Sequence, residues 1–273
     1  MPAFCRHNRF LANCPICSRE QAALAPTPAP RPRRSATGAS PRRPGGLRTR
    51  QLARDADDGY RSDLVPGLKA TAEAERLAQA LADAAARLEF PGPSEAIASD
   101  PDLEAATRRA FVLALTGAEE PAELTPAQAH TAAAYEAWAE RAGSQAAAFT
   151  GEAAWTPTRR FSRLFERLAL PGFGRSGRYA LLTSLAAADR YPLEAVSLHL
   201  GGEDPTTVAA KRALVSGDVP LLERRAAALA SAAEIPLAAL DRGLADWNAP
   251  VRREPPEGPE PAALAQTRSA LGL

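Results

Sequence analysis

Apolar residues recur along most of this chain at the three- and four-residue spacing of helices, and no segment alternates as a strand does. Between Lys69 and Leu88, the residues Leu77, Leu81, Ala84, Ala85 and Leu88 share one face. Phe161, Leu164, Phe165, Leu168 and Ala169 do the same after Thr156-Pro157, with Arg159, Arg160, Arg163 and Arg167 mostly outside that face. Cap-then-proline starts recur at Asp100-Pro101, Thr125-Pro126, Thr156-Pro157, Asp204-Pro205, Val219-Pro220 and Ile235-Pro236. At these starts proline's missing N–H costs nothing and a polar side chain can satisfy a free amide. Tyr191-Pro192 is expected to open a short helix, and Arg50 to Tyr60 reads as charged helix carrying the acidic pair Asp57-Asp58. Valine and isoleucine are sparse, so the fold class is all-α.

Composition divides the chain. Residues 1–20 hold every cysteine, in the pattern C-x-H-x6-C-P-x-C. Cys5, His7, Cys14 and Cys17 form a Cys3His set suited to one tetrahedral structural zinc, with Cys14-Pro15-Ile16-Cys17 as a zinc knuckle. A redox C-x-x-C pair is the alternative, but no βαβ pattern surrounds it. Residues 21–47 are rich in proline and arginine and too poor in apolar residues to fold alone, which predicts a disordered linker. Residues 48–248 form the helical domain and 249–273 a loose tail, with one frayed helix over 262–271. The net charge of +1 argues against a globally basic nucleic-acid binder, although arginines crowd the linker. No secretory signal and no run of ~18 apolar residues is present, so a cytoplasmic protein without a membrane partner is expected.

The stretch from Thr156 to Leu185 reads as helix, tight turn, helix. Leu170-Pro171-Gly172 stops the first helix, and Gly172 and Gly174 allow conformations that a Cβ resists. The turn 170–175 has the form of a helix-hairpin-helix DNA-binding motif. There, backbone N–H groups and a helix N-terminus hold a phosphate without reading sequence. Gly172, Phe173, Gly174, Arg175 and Arg178 are the DNA-binding candidates, with Phe173 placed to stack on a base. An ordinary tight turn between packed helices is the alternative.

A second informative stretch runs from Leu198 to Arg212. Asp204 before Pro205 is a strong N-cap, and the helix it opens carries Lys211 and Arg212. A Gly-Gly loop feeding a capped helix explains the pattern structurally. As chemistry, Lys211 and Arg212 could neutralise charge in a transition state and Asp204 could orient or deprotonate an amine. Being adjacent, Lys211 and Arg212 diverge by about 100° on a helix. His199, between two leucines, reads as a hydrogen-bonded, partly buried histidine, with a catalytic histidine as the alternative. Trp155 and Trp247 read as core.

Several ordered blocks carry a family resemblance: FCRHNRF with NCPICSRE, DDGYRSDLVPGLKA, ERAGSQAAAF, WTPTRRFSRLFERLALPGFGRSGRYALL, and GGEDPTTVAAKRAL with LLERRAAALA. Through them the chain resembles the actinobacterial third clade of the alpha-glutamyl/putrescinyl thymine pyrophosphorylases. The resemblance implies a helix-hairpin-helix DNA glycosylase-like fold. It also implies a transferase of thymine hypermodification, in which glutamate or putrescine displaces pyrophosphate from a 5-pyrophosphoryloxymethyluracil base in DNA. Reaching such a base in a duplex requires flipping it out. Where bifunctional glycosylases carry a lysine after the hairpin this chain has Ser176, and an ungapped count to their catalytic aspartate reaches Glu194. Base excision and a non-catalytic DNA-binding scaffold are the alternative functions.

Overall fold

Capping chemistry sets where the helices begin. In the computed structural model, which describes residues 56–89, 93–118, 120–249 and 261–273, all regular structure among the described residues is helical. The helices are α1 (Thr71–Glu89), α2 (Pro93–Ser99), α3 (Leu103–Thr116), α4 (Pro126–Arg141), α5 (Gln145–Thr150) and α6 (Pro157–Arg167). They continue with α7 (Arg175–Ala187), α8 (Pro205–Leu214), α9 (Val219–Ala232), α10 (Leu237–Trp247) and α11 (Pro261–Leu271). Thr125 and Gln128 form a complete capping box on α4. Thr156, Asp204 and Asp218 cap α6, α8 and α9. The helix expected at Asp100-Pro101 starts later, at Leu103, because Asp102 accepts the Glu104 N–H at 2.9 Å.

The described residues belong to one compact unit, Ala53 to Leu273. Leu77, Leu81 and Ala84 of α1 are buried, whereas Leu88 is exposed. Helix α10 packs on α1 at Gly243, where an added Cβ would lie 2.7 Å from Leu81. Helix α11 packs on α1 as well. The Thr267 hydroxyl donates to the Ala78 carbonyl, Leu271 is fully buried, and the Tyr60 hydroxyl donates to Leu271 O at 2.5 Å. The expected frayed tail helix is therefore docked. A second part of the core is a chain of rings, in which Phe111 stacks on Tyr135 at 3.8 Å and tilts against Phe173 at 5.3 Å. Trp138, Phe149 and Tyr191 extend it. Burial of each such side chain stabilises the fold by roughly 1.5–3 kcal/mol. Its polar atoms are paired: the Tyr135 hydroxyl donates to Gln145, and the Tyr191 and Thr107 hydroxyls share a hydrogen bond.

Two expected helical stretches are irregular. Residues 56–60 form turns in which Asp57 and Asp58 accept the N–H groups of Gly59, Tyr60 and Thr71, and side-chain acceptors compete there with a helix ladder. Asp57 also pairs with Arg61 at 3.0 Å. No helix follows Tyr191-Pro192 either. Neighbouring side chains satisfy that backbone: Arg160 donates to Pro192 O, and Glu223 accepts from Leu198 N and Leu200 N.

Candidate nucleic-acid interface and the adjoining cleft

Thr156 caps α6, whose apolar face buries Phe161, Leu164, Phe165 and Leu168. Ala169 is exposed, because the helix ends at Arg167 and the chain turns away. On the other side Arg159, Arg163 and Arg167 are exposed, one turn apart, with Arg163 paired to Glu166 and Arg167 over the Trp155 ring. Arg160 is buried, contrary to the helical wheel, and donates to Thr150 O and Pro192 O.

The turn that follows needs only one of its two glycines for backbone reasons. Gly172 has φ +76, and a Cβ there would lie 2.3 Å from the Thr131 hydroxyl oxygen. Thr131 in turn donates to Pro171 O at 3.0 Å, which ties the turn to α4. Gly174 has φ −68 and ψ 176, an ordinary extended conformation that a Cβ does not resist, so the special backbone conformation expected for it is not found. Gly174 is exposed, and a Cβ on it would meet nothing within 4 Å. It is the N-cap of α7, with no side-chain hydrogen bond closing that end. The first amides of α7 therefore have no side-chain cap, and the space at the Gly174 Cβ position beside them is open.

The three larger hairpin candidates are turned inward to different degrees. Phe173 is 4% exposed and packs against Phe111 and Gly177, so its ring is core. Arg175 is buried and pairs with Asp204 at 3.4 Å and Asp241 at 2.5 Å. Its Nε also donates to Leu198 O at 2.9 Å. Arg178 lies over the Phe165 ring at 4.2 Å and donates to Phe165 O.

Asp204, Lys211 and Arg212 do not converge. Besides Arg175, Asp204 accepts from the Thr207 N–H, the Thr207 hydroxyl and the Ser176 hydroxyl. Lys211 is exposed and reaches Gly202 O at 3.4 Å. Arg212 points to α1, pairs with Glu73 and lies over the Trp247 ring at 4.5 Å. Helical divergence separates the two cations as their adjacency requires. Ser176 is occupied by Asp204, and Glu194 is exposed. Cys5, His7, Cys14 and Cys17 lie outside the described residues.

The two carboxylates around Arg175 respond oppositely to their surroundings. Burial pushes Asp204 up, but its bonds from Thr207 and the charge of Arg175 outweigh this and hold it below the usual carboxylate range. For Asp241 burial wins over the same arginine, and its carboxyl is raised. The ionised form of Asp241 thus carries a folding penalty that is present at neutral pH and relieved as pH falls through its raised folded value. The stability of Asp241→Asn relative to wild type is expected to be most favourable near pH 7 and to become less favourable on acidification. Urea unfolding of both proteins across pH checks this, and a difference that grows towards low pH would refute it.

Beside the turn lies a cleft of about 570 Å³ between α6, α7, α9 and the irregular segment before α8. Phe165, Glu166, Arg178, Ser197, His199 and Glu223 line it, together with apolar residues. His199 is partly buried, as expected, but its Nε2 is enclosed without the expected hydrogen bond. Its ring stacks on Phe165 with centroids 4.0 Å apart and planes 15° apart. Burial, then Arg175 and Arg178, hold its pKa below the ordinary imidazole value. No local pattern in the sequence distinguishes Glu223 and Asp241 from solvated helix acids.

No family model, curated protein or solved structure matches this chain. Among the described residues no helix is long and apolar enough to cross a membrane.

Proposed function

We propose that this protein binds the phosphate backbone of DNA at the 170–174 turn and acts on a base presented to the adjoining cleft. The single observation that carries the reading is the start of α7: uncapped amides behind an exposed glycine, with room for close approach. Arg159, Arg163 and Arg167 on the exposed side of α6 supply positive charge near the turn, while Arg175 serves the interior. The reaction follows from the family resemblance alone: an amine, glutamate or putrescine, displaces pyrophosphate from 5-pyrophosphoryloxymethyluracil. A structural zinc on Cys5, His7, Cys14 and Cys17 belongs to the same proposal, and elemental analysis of protein purified without chelator is expected to find about one zinc per chain.

The geometry makes Gly174→Val a clean test. Its backbone angles suit any residue and an added Cβ meets no neighbour, so the variant is expected to stay folded, with only the modest loss that a poor N-cap residue brings. A bulky group there obstructs a phosphate, and duplex affinity is expected to fall about tenfold or more, an estimate that treats the lost contact as one charge-assisted hydrogen bond. Binding should also weaken steeply with salt and depend little on sequence. A folded Gly174→Val protein that binds duplex as wild type does would reduce the hairpin to a turn.

A further inference from the structure

Three residues, Leu198-His199-Leu200, are held from two sides. Arg175 of α7 donates to Leu198 O through Nε and Nη2. From α9, Glu223 accepts the Leu198 N–H through Oε2 and the Leu200 N–H through Oε1. The Leu198 and Leu200 side chains are buried. Between them His199 is fixed at φ +53, a left-handed conformation that non-glycine residues rarely adopt. Such a conformation persists only where the surroundings over-determine it, and here two charged side chains do so. The outcome is one imidazole set flat on Phe165 at the wall of the cleft.

We propose that His199 is the proton acceptor of this cleft, serving a nucleophile that arrives with an N–H or O–H group. The other acids at hand are engaged. Each Glu223 oxygen accepts a backbone N–H, Glu166 pairs with Arg163, and Asp204 is taken up by Thr207, Ser176 and Arg175. The charged groups around the imidazole are Glu166 from α6, Arg175 and Arg178 from α7, and Glu223 from α9. Burial and the two arginines keep the ring neutral near pH 7, the form that accepts a proton. Enclosure of Nε2 leaves Nδ1 for this role. Resting on the reading above, the step is as follows. The amine nitrogen bonds to the base's methylene carbon, the carbon–oxygen bond to pyrophosphate breaks, and one N–H proton passes to His199. Pyrophosphate departs with the bonding pair. Glu223 and Arg175 are positioning residues for this group.

Diethyl pyrocarbonate tests the proposal on the full chain without any substrate, because a histidine is acylated by it only through an accessible, neutral imidazole nitrogen. The three histidines, His7, His130 and His199, are resolved by peptide mass mapping. His199 is expected to take one carbethoxy group, at a rate that rises with pH through a midpoint below the ordinary value near 6.5. In Glu223→Gln labelling of His199 at a given pH is expected to quicken, as the loop loosens and the imidazole loses its enclosure. In single-turnover conversion of the pyrophosphate-ester duplex, His199→Asn is expected to be about 100-fold slower or worse and to lose the pH dependence. Asparagine accepts the left-handed backbone, so this variant keeps the fold. An unreactive His199 beside a labelled His130 overturns the proposal, and so does a His199→Asn protein with the wild-type rate and pH profile. A wild-type protein that labels as expected but converts no pyrophosphate ester counts against the proposed reaction alone, and the labelling still supports His199 as the acceptor.

Discussion

Arg175→Ala is expected to lower the unfolding free energy by about 3–5 kcal/mol, the usual loss when one partner of a buried ion pair is removed. The guanidinium lies between Asp204 and Asp241 and also holds Leu198 O. Without it two largely buried carboxylates face each other with no counter-charge. Domains of this size are stable by only ~5–15 kcal/mol, so the loss is a large fraction of the whole. A urea midpoint that drops with an unchanged slope is the expected result. Arg175→Met combined with Asp241→Asn is expected to recover part of the loss, since it removes an orphaned charge along with its partner. If Arg175 were instead a phosphate contact at the hairpin, Arg175→Ala would keep wild-type stability and weaken only DNA binding. That outcome would show the buried cluster to be energetically unimportant.

Phe173→Ala is expected to cost about 3–5 kcal/mol, because a ring deleted from a packed interior leaves a cavity that its neighbours cannot fill. Phe173 lies against Phe111, which stacks in turn on Tyr135, and it sits so close to Gly177 that a Cβ there would come within 2.7 Å of the ring. The collapse available to such a site is small. Thermal or urea unfolding checks the figure. A base-stacking role at the hairpin tip predicts the opposite pattern, namely near wild-type stability with reduced affinity for DNA. Taken with Gly174→Val, the comparison separates the part of the turn that faces solvent from the part that holds the fold.

Much of the helical layout was legible in the sequence because it depends on short-range chemistry. Thr125, Thr156 and Asp204 cap the helices they precede, and the prolines after them sit where a missing N–H does no harm. The apolar spacing of Phe161, Leu164, Phe165 and Leu168 likewise reads directly as a buried face. The left-handed Gly172 follows from the turn itself. What tertiary structure alone decided is where the charges and the irregular backbone go. In sequence Arg160 reads as lying off the apolar face, Arg175 as a phosphate contact and Arg212 as a transition-state cation, yet each meets its partners from other elements: Thr150 O and Pro192 O, Asp204 and Asp241, and Glu73. The segment after Tyr191 has a helix-start signal but spends its amides on Glu223, which fixes His199 at the cleft. Local propensity is worth fractions of a kcal/mol per residue, whereas an unpaired buried charge or amide costs several-fold more. Wherever the two compete, as at residues 191–200, long-range pairing prevails, and the sequence carries no local mark of it.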